Sequence, residues 1–288
     1  HGCIYCYARP TNAYYEYSAG LDFETKITAK VNADEALEAE LSRPGYKPAT
    51  IMLGANTDAY QPLERERQIT RRMLGVLDRM GHPVAIVTKS ALVLRDLDIL
   101  SRLASRRLVK VALSVTTLDR RLARKMEPRA STPGKRIEAM RQLSAAGIPV
   151  AVMVAPIIPA LNDHELERIL GSAAECGASE AGYVLVRLPL EISPLFREWL
   201  AQEFPDRASR VMSLIKSTRA GKDYVSTFGE RHRGSGPYAE QIAQRFRLAL
   251  KRYGLNQRQL RLRTDLFLGA GQIQLALFPE DRGASKGE

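Results

Sequence analysis

The chain is poor in cysteine and has no long apolar run. It carries three cysteines among 288 residues. This small, odd number excludes a disulfide-stapled scaffold and favours a reducing compartment, the cytoplasm. No apolar stretch approaches the ~18 to 20 residues that cross a bilayer, so we expect no membrane segment. The apolar fraction of 45% is ordinary for a globular protein and excludes general disorder.

Positive charge is in excess, and most of the excess lies late in the chain. The 43 Lys and Arg residues outnumber the 32 Asp and Glu residues, which gives a net charge of +11. Between Arg197 and Arg263 the same comparison is 15 against 6. An anionic partner such as nucleic acid fits this charge, and a solvated, soluble helix face explains it as well.

Two segments inside this basic region carry its candidate function. The stretch over 231–238 combines Arg, His, Gly and Tyr, and we expect a loop that can bind phosphate through backbone amides and arginine forks. A helix is expected over 238–253, with Phe246, Leu248 and Leu250 on its core side.

Five apolar, β-rich runs alternate with segments of helical periodicity. The runs lie roughly 25 to 40 residues apart, about the length of a βαβ crossover. They are residues 51–53, 84–88, 109–114, 150–154 and 183–186. The helices expected between them and after Pro189 are 64–80, 92–103, 135–146, 163–176, 193–204 and 206–218. This alternation predicts a parallel sheet, either open or closed into a barrel.

Two of the cysteines, Cys3 and Cys6, are separated by only two residues. Such a spacing brings two thiolates to one side of a turn, where they can hold one metal ion or one cluster. The pair alone fits half of a zinc site, a redox dithiol or half of a cluster motif. Cys176 lies far away in a helical pattern, and we expect it to be a small buried hydrophobe.

The residues around the pair resemble the cluster loop of the radical SAM superfamily. Its pattern is Cys-x3-Cys-x-aromatic-Cys at the exit of the first barrel strand. Cys3 and Cys6 match the second and third cysteines, and Tyr5 matches the aromatic position. With the motifs over 54–64 and 88–90, the chain resembles the subgroup of spore photoproduct lyase and the bacterial relatives labelled DNA repair photolyase-like.

The resemblance implies a fold and a pair of cofactors. The fold is α/β, with a partial (β/α)6 TIM-type barrel over 1–190, a basic helical extension over 191–270 and a tail over 271–288. Three thiolates hold a 4Fe-4S cluster, and its open iron binds S-adenosylmethionine. One electron from a flavodoxin- or ferredoxin-like donor then yields a 5′-deoxyadenosyl radical, which abstracts hydrogen from an unidentified substrate, with nucleic acid as one candidate.

The first cysteine of the pattern would lie four residues before Cys3, upstream of His1. We therefore expect a chain that is cut inside the motif. With two of the three cysteine ligands, such a chain is not expected to hold the cluster stably or to be active by itself.

Polar residues at the ends of successive strands are the candidate cofactor ligands. The resemblance assigns Asn56, Thr57 and Asp58 to the amino group of S-adenosylmethionine, and an Asx or Thr turn is the alternative. It assigns Lys89 to the carboxylate, unless this lysine is merely solvated. Ser114 matches a position near the ribose or methionine part, and it can equally cap a turn.

Two further strand ends complete the candidate site. Ala155 and Pro156 fall where the backbone of the family packs on adenine, or they simply end their strand. Arg187 ends the last strand, and we expect it to contact substrate or a cofactor carboxylate, or to form a structural salt bridge. Barrel enzymes build their active sites at the C-terminal ends of strands, as this set requires.

One feature of the named subgroup is absent. Spore photoproduct lyases carry a hydrogen-donating cysteine near the end of the second barrel strand, where this chain has Ala55 and Asn56. Tyr60 is the candidate donor in its place, or a packing aromatic. Two other functions stay open: a nucleic-acid-binding protein that keeps the barrel without the chemistry, and a zinc-site protein built on the cysteine pair.

Overall fold

One parallel sheet organises the chain. The computed structural model describes residues 1–227 and 229–269. The strands follow one another in the sheet in the order β1-β2-β3-β4-β5, and every neighbouring pair is parallel. Their bounds are Ile51–Leu53 (β1), Val84–Thr88 (β2), Val109–Ser114 (β3), Val150–Ile157 (β4) and Glu180–Leu185 (β5). The five predicted strands are thereby confirmed, although β4 runs three residues further and β5 is shifted toward the N-terminus.

This strand order is that of a partial TIM-type barrel. Right-handed crossovers between sequential parallel strands place the connecting helices on one face of the sheet. The α/β fold predicted from the sequence is confirmed. The resemblance implied six strands, and the described part of the chain contains five.

Twelve α-helices surround or follow the sheet within the described residues. They are Leu21–Thr25 (α1), Ala33–Leu41 (α2), Glu64–Arg67 (α3), Ile69–Arg79 (α4), Leu97–Ser105 (α5), Arg120–Met126 (α6), Pro133–Ala145 (α7), Leu166–Glu175 (α8), Ile192–Glu203 (α9), Pro205–Ser217 (α10), Glu230–Arg233 (α11) and Pro237–Tyr253 (α12). The single helix predicted over 64–80 is wrong. Gln68 takes a left-handed conformation, with φ of 49°, and divides the segment into α3 and α4.

Two apolar clusters hold these elements together. The larger one lies against the sheet, where Val109, Val111 and Leu113 are fully buried because these alternate residues of β3 share the face that packs on the core. The smaller one joins Tyr5 to Phe196 and its neighbours on α6, α9 and α10. This second cluster therefore anchors the N-terminal cysteines to the helices behind them.

The last long helix packs against the barrel. Arg245 of α12 forms an ion pair with Glu167 of α8 at 2.6 Å. Phe246 is buried as predicted, but Leu248 is 61% exposed, so its predicted place on the core side is wrong. No helix in the described ranges is both long and apolar enough to cross a membrane. The domain limits at 190 and 270 stay predictions, and the predicted tail over 271–288 lies outside the described residues.

Candidate cofactor site at the strand ends

A tight turn carries the cysteine pair. The carbonyl of Cys3 accepts hydrogen bonds from the backbone N–H of Cys6 at 3.2 Å and from Nε of Arg9 at 3.1 Å. The backbone N–H of Ile4 donates to the Met126 carbonyl at 3.1 Å and ties the turn to the end of α6. We call residues 2–10 the cysteine loop. Its hydrogen bonds bring Cys3 and Cys6 onto one turn, as their spacing predicts.

The thiol of Cys3 is buried, whereas that of Cys6 is partly exposed. Burial, followed by the negative charge of Glu127, raises the pKa of Cys3 to about 12, although Lys89 acts in the opposite direction. The free thiol is therefore protonated at neutral pH. A metal that binds Cys3 must displace this proton, because metals bind the thiolate.

A buried ion pair locks the aromatic residue of the cysteine loop. The hydroxyl of Tyr5 donates to the carboxylate of Glu127, which also pairs with Arg136 and accepts from the hydroxyl of Thr116. Burial opposes ionisation of Glu127, but the charges of Arg136 and Lys89 outweigh it and hold the pKa of Glu127 below its usual value. Burial and this carboxylate raise the pKa of Tyr5 well above its usual value. Tyr5 is thus a neutral donor in a fixed position.

Asp58 braces the ends of the first two strands. Its Oδ1 accepts from the Tyr60 N–H at 2.8 Å and from the Thr88 hydroxyl at 2.6 Å, and its Oδ2 accepts from the Lys89 N–H at 2.7 Å. Nε2 of His1 lies 3.0 Å from Oδ2, an ion-pair distance without hydrogen-bond geometry. The bond to Tyr60 is the Asx turn of the alternative interpretation. Contact of Asp58 with a cofactor stays a prediction.

The side chain of Lys89 lies near Tyr5 of the cysteine loop. Its Nζ lies 5.8 Å from the centre of the Tyr5 ring. Within the described ranges, the lysines that form ion pairs are others, so this ammonium has no carboxylate within 4.0 Å. A free cation beside Cys3 suits an anionic group. Asn56 and Thr57 are exposed in the loop after β1, and Ser114 is buried at the end of β3.

The two residues predicted to pack on adenine lie within a strand and not after it. Ala155 and Pro156 do not follow the fourth strand but belong to it, because β4 continues to Ile157. The Thr116 hydroxyl oxygen, which donates to Glu127, lies 3.1 Å from the Ala155 carbonyl oxygen, and Nδ2 of Asn162 donates to the Pro156 carbonyl at 3.0 Å. These side chains hold the strand end in place, and neither Thr116 nor Asn162 was among the predicted site residues.

The structure does not place Tyr60 for hydrogen donation. Its side chain has no exposed surface, and its hydroxyl donates to the buried carboxylate of Asp96 at 3.0 Å. Arg71 and Arg95 pair with the same carboxylate. The prediction of a donor role is wrong, and the packing alternative fits the position.

Arg187 lies where it was predicted, past the end of the last strand, but without a salt bridge. Its guanidinium sits 4.1 Å from the centre of the Tyr7 ring, and its Nη1 donates to Nε2 of His232 at 3.3 Å. Among the described residues, no carboxylate lies within 4.0 Å of it. The hydroxyl of Tyr7 donates to the Ala55 carbonyl after β1. Tyr7 had no role in the sequence prediction, and its contacts join distant parts of the chain.

The donor set fits part of an iron–sulfur site. Cys3 and Cys6 offer two thiolates, the ligands that such clusters take, with a free lysine beside them. A structural zinc site needs four nitrogen or sulfur ligands. Within residues 1–227 and 229–269, no group of three or more His, Cys, Asp or Glu residues could hold a metal ion. The residues present therefore fit two cluster ligands, and the resemblance assigns the third to a cysteine four positions before Cys3.

Comparison with known families agrees with this geometry. A family model of the radical SAM superfamily matches residues 1–173, which is more than half of the chain. The chain therefore belongs to the radical SAM superfamily, as the cysteine loop predicted.

Curated relatives extend the match beyond the barrel. Uncharacterized proteins of Mycobacterium tuberculosis and Mycobacterium bovis are 36% identical over 218 residues, 75% of this chain and 64% of theirs. An uncharacterized protein of Methanocaldococcus jannaschii is 29% identical over 225 residues, 78% of this chain and 79% of its own. The chain thus spans somewhat less than two thirds of the length of the mycobacterial relatives.

Solved structures of spore photoproduct lyase share the fold. The complex with dinucleoside spore photoproduct has a TM-score of 0.58 and 16% identity, over 88% of this chain and 70% of that one. A double mutant with bound AdoMet and dinucleoside spore photoproduct gives the same values. At this identity the likeness concerns the fold, and on that level the predicted resemblance is confirmed.

Proposed function

We propose that this protein binds a 4Fe-4S cluster and S-adenosylmethionine and starts radical chemistry on an anionic substrate. The observation that carries the proposal is the placement of Cys3 and Cys6 on one anchored turn beside the unpaired ammonium of Lys89. When bound, the two cofactors supply a 5′-deoxyadenosyl radical that abstracts hydrogen. The residues of the chain bind and orient these two cofactors.

Each group has a defined task in this proposal. Cys3 and Cys6 would hold the cluster, after loss of the proton that burial keeps on Cys3. Lys89 would bind the carboxylate of S-adenosylmethionine through a charge-assisted contact. Tyr5, fixed on Glu127, keeps water away from the inner side of the turn.

The remaining predicted ligands follow the same strand-end edge. Asn56 and Thr57 would face the amino group, Ser114 the ribose or methionine part, and the backbone of Ala155 and Pro156 the adenine. Asp58 would act through Lys89, whose backbone it holds.

The proposed partners are a low-potential electron donor of the flavodoxin or ferredoxin type and a nucleic acid. Exposed cations on α12, such as Arg247 and Lys251, support the second. Other basic residues of this region are already neutralised, because Arg245 pairs with Glu167 and Arg263 pairs with an aspartate beside it. Affinity for an oligonucleotide that barely changes with salt would rule out this partner.

Anaerobic reconstitution of the full-length protein, including the residue four positions before Cys3, tests the proposal. We expect reductive formation of 5′-deoxyadenosine from S-adenosylmethionine, and its loss in Cys6→Ala. Oligonucleotide binding without this product in a cluster-loaded protein would favour the barrel-scaffold alternative. Zinc without iron after anaerobic purification would favour the zinc-site alternative.

A further inference from the structure

Several arginines gather at the exit of β5. We call this group, made of Arg187, Arg219, Arg231, His232 and Arg233, the arginine cluster. Among the described residues, neither Arg187 nor Arg219 nor Arg233 has a carboxylate within 4.0 Å.

Arg187 is the member nearest to the cysteine loop. Burial lowers its pKa below the usual value, and Cys6 and Tyr7 are among the groups whose charges act on it. A cation that loses water without gaining an anion is unfavourable. The ring of Tyr7 compensates in part, through a cation–π contact at 4.1 Å. The ring covers one face of the Arg187 guanidinium, and the N–H groups in the plane of the guanidinium remain suited to bind an oxyanion.

Arg219 supports this arrangement from inside the protein. It has no exposed surface, and its two terminal nitrogens donate to the Glu230 carbonyl at 2.6 Å and to the Val186 carbonyl at 3.1 Å. Its Nε is buried and has no partner among the described residues. Val186, the residue directly before Arg187, is therefore linked to α11 through the buried side chain of Arg219. The Oε1 of Glu230 accepts from the Ser235 hydroxyl at 3.1 Å, and the Glu230 carboxylate acts on Arg219 from beyond ion-pair distance.

His232 is the member of the cluster that forms a hydrogen bond with Arg187. It accepts the hydrogen bond from Arg187, which requires a neutral ring nitrogen. Burial and the charges of four arginines, Arg187 first among them, lower the pKa of His232. The imidazole therefore orients Arg187 without adding or neutralising charge.

We infer that Arg187, held by Arg219, His232 and Tyr7, binds an oxyanion, a phosphate or carboxylate group, of a molecule that enters the strand-end site. That this molecule takes part in the reaction rests on the proposed function. The binding itself does not, since it needs no cluster. Two sources share this chemistry: the phosphodiester of a nucleic acid substrate and the carboxylate of S-adenosylmethionine.

Binding to the metal-free protein at low salt tests the inference. The probes are inorganic phosphate, a short single-stranded DNA and S-adenosylmethionine, each titrated by calorimetry. We expect Arg187→Gln to weaken at least one probe by roughly tenfold or more, as loss of a charge-assisted contact does. If that probe is the DNA, the salt slope should also fall by about one. Arg43→Gln is the matched control, because Arg43 is exposed and lies outside the basic region over 197–263, and it should leave the Arg187-dependent probe unchanged.

Chemical labelling of the unmutated protein covers the case in which Arg187→Gln fails to fold. Phenylglyoxal modifies accessible arginines, and mass spectrometry reports each site. We expect phosphate or one of the other probes to protect Arg187 and not Arg43. Protection by S-adenosylmethionine alone identifies the cofactor carboxylate, and protection by phosphate and DNA identifies the phosphodiester.

Lack of protection by all three probes, together with equal affinities of the two variants, would overturn the inference. A protein that forms 5′-deoxyadenosine but shows this result would keep the proposed function and lose the oxyanion site. Protection of Arg187 in a protein that forms no 5′-deoxyadenosine would keep the oxyanion site and lose the proposed function.

Discussion

The guanidinium of Arg187 lies 4.1 Å from the centre of the Tyr7 ring, and this contact ties the exit of β5 to the cysteine loop. The hydroxyl of the same tyrosine donates to the Ala55 carbonyl, which follows β1. Because β1 and β5 are the two outer strands of the sheet, Tyr7 contacts residues that follow both of them. The cysteine loop thus links the C-terminal ends of the two outer strands and also carries the two thiols.

Replacing Tyr7 should weaken the link between the cysteine loop and the two outer strands. Tyr7→Leu removes one cation–π contact and one hydrogen bond, and each typically contributes ~1 kcal/mol. We expect the free energy of unfolding in urea to fall by about 1 to 2 kcal/mol, and Arg187 to react faster with phenylglyoxal. Tyr14→Leu is the matched control, because Tyr14 is 88% exposed. Unchanged labelling of Arg187 in Tyr7→Leu would show that the ring does not shield it.

The buried pair of Glu127 and Arg136 should dominate local stability. Their side chains are 0% and 1% exposed, so Glu127→Ala leaves an unpaired buried cation. We expect a loss of about 3 to 5 kcal/mol in urea unfolding. Glu138→Ala breaks an exposed pair with Arg141 and should change stability little. A similar small effect in Glu127→Ala would contradict the bracing role.

The same pair predicts a dependence on pH. The pKa of Glu127 lies below its usual 4.5, so the folded state binds its proton less readily than the unfolded state. The stabilisation is therefore fully present above about pH 4.5 and is lost as the pH falls through the folded value. The slope of unfolding free energy against pH in this acidic window should decrease in Glu127→Gln.

The two cysteines of the loop should differ in reactivity. Iodoacetamide attacks the thiolate, and burial raises the pKa of Cys3 to about 12. In the metal-free protein we expect Cys3 to be alkylated much more slowly than Cys6 at pH 8. Its rate should rise about tenfold per pH unit, as the thiolate fraction does. Peptide mass spectrometry measures both sites in one sample, and equal rates would contradict burial of Cys3.

Lys89 is the most direct test of the proposed cofactor contact. Lys89→Gln removes the charge and leaves a somewhat shorter polar side chain, so the affinity for S-adenosylmethionine should fall roughly tenfold or more. The fold should persist, because Glu127 loses one of its two nearby cations but keeps its ion pair with Arg136. Lys30→Gln, an exposed lysine, should bind normally. Equal affinities of the two variants would assign the carboxylate to another residue.

The sequence predicted the features that depend on local pattern. Parallel strands are buried on both faces, so apolar runs such as Val109–Ser114 marked them with nearly correct bounds. The spacing of Cys3 and Cys6 predicted the shared turn. The break at Gln68 was missed, because a non-glycine residue in a left-handed conformation leaves no mark in the periodicity.

The contacts that shape the site were not predictable in this way. Glu127 lies 122 residues from Tyr5 along the chain, and its partner Arg136 sits in a helix of ordinary composition. Such pairs meet only because the strand order brings their segments to one edge. Tyr60 illustrates the opposite error: a polar aromatic near a motif suggested chemistry, whereas Asp96 holds it in the interior.

Iron content after anaerobic reconstitution decides whether this protein binds a cluster. In the full-length protein, we expect about four irons per chain for a 4Fe-4S cluster, with an absorbance that shifts when S-adenosylmethionine is added. Cys176→Ala should keep this iron, and Cys3→Ala should lose it. Absence of cluster iron and absorbance, with every cysteine of the motif present, would show that the cysteine loop does not hold a cluster.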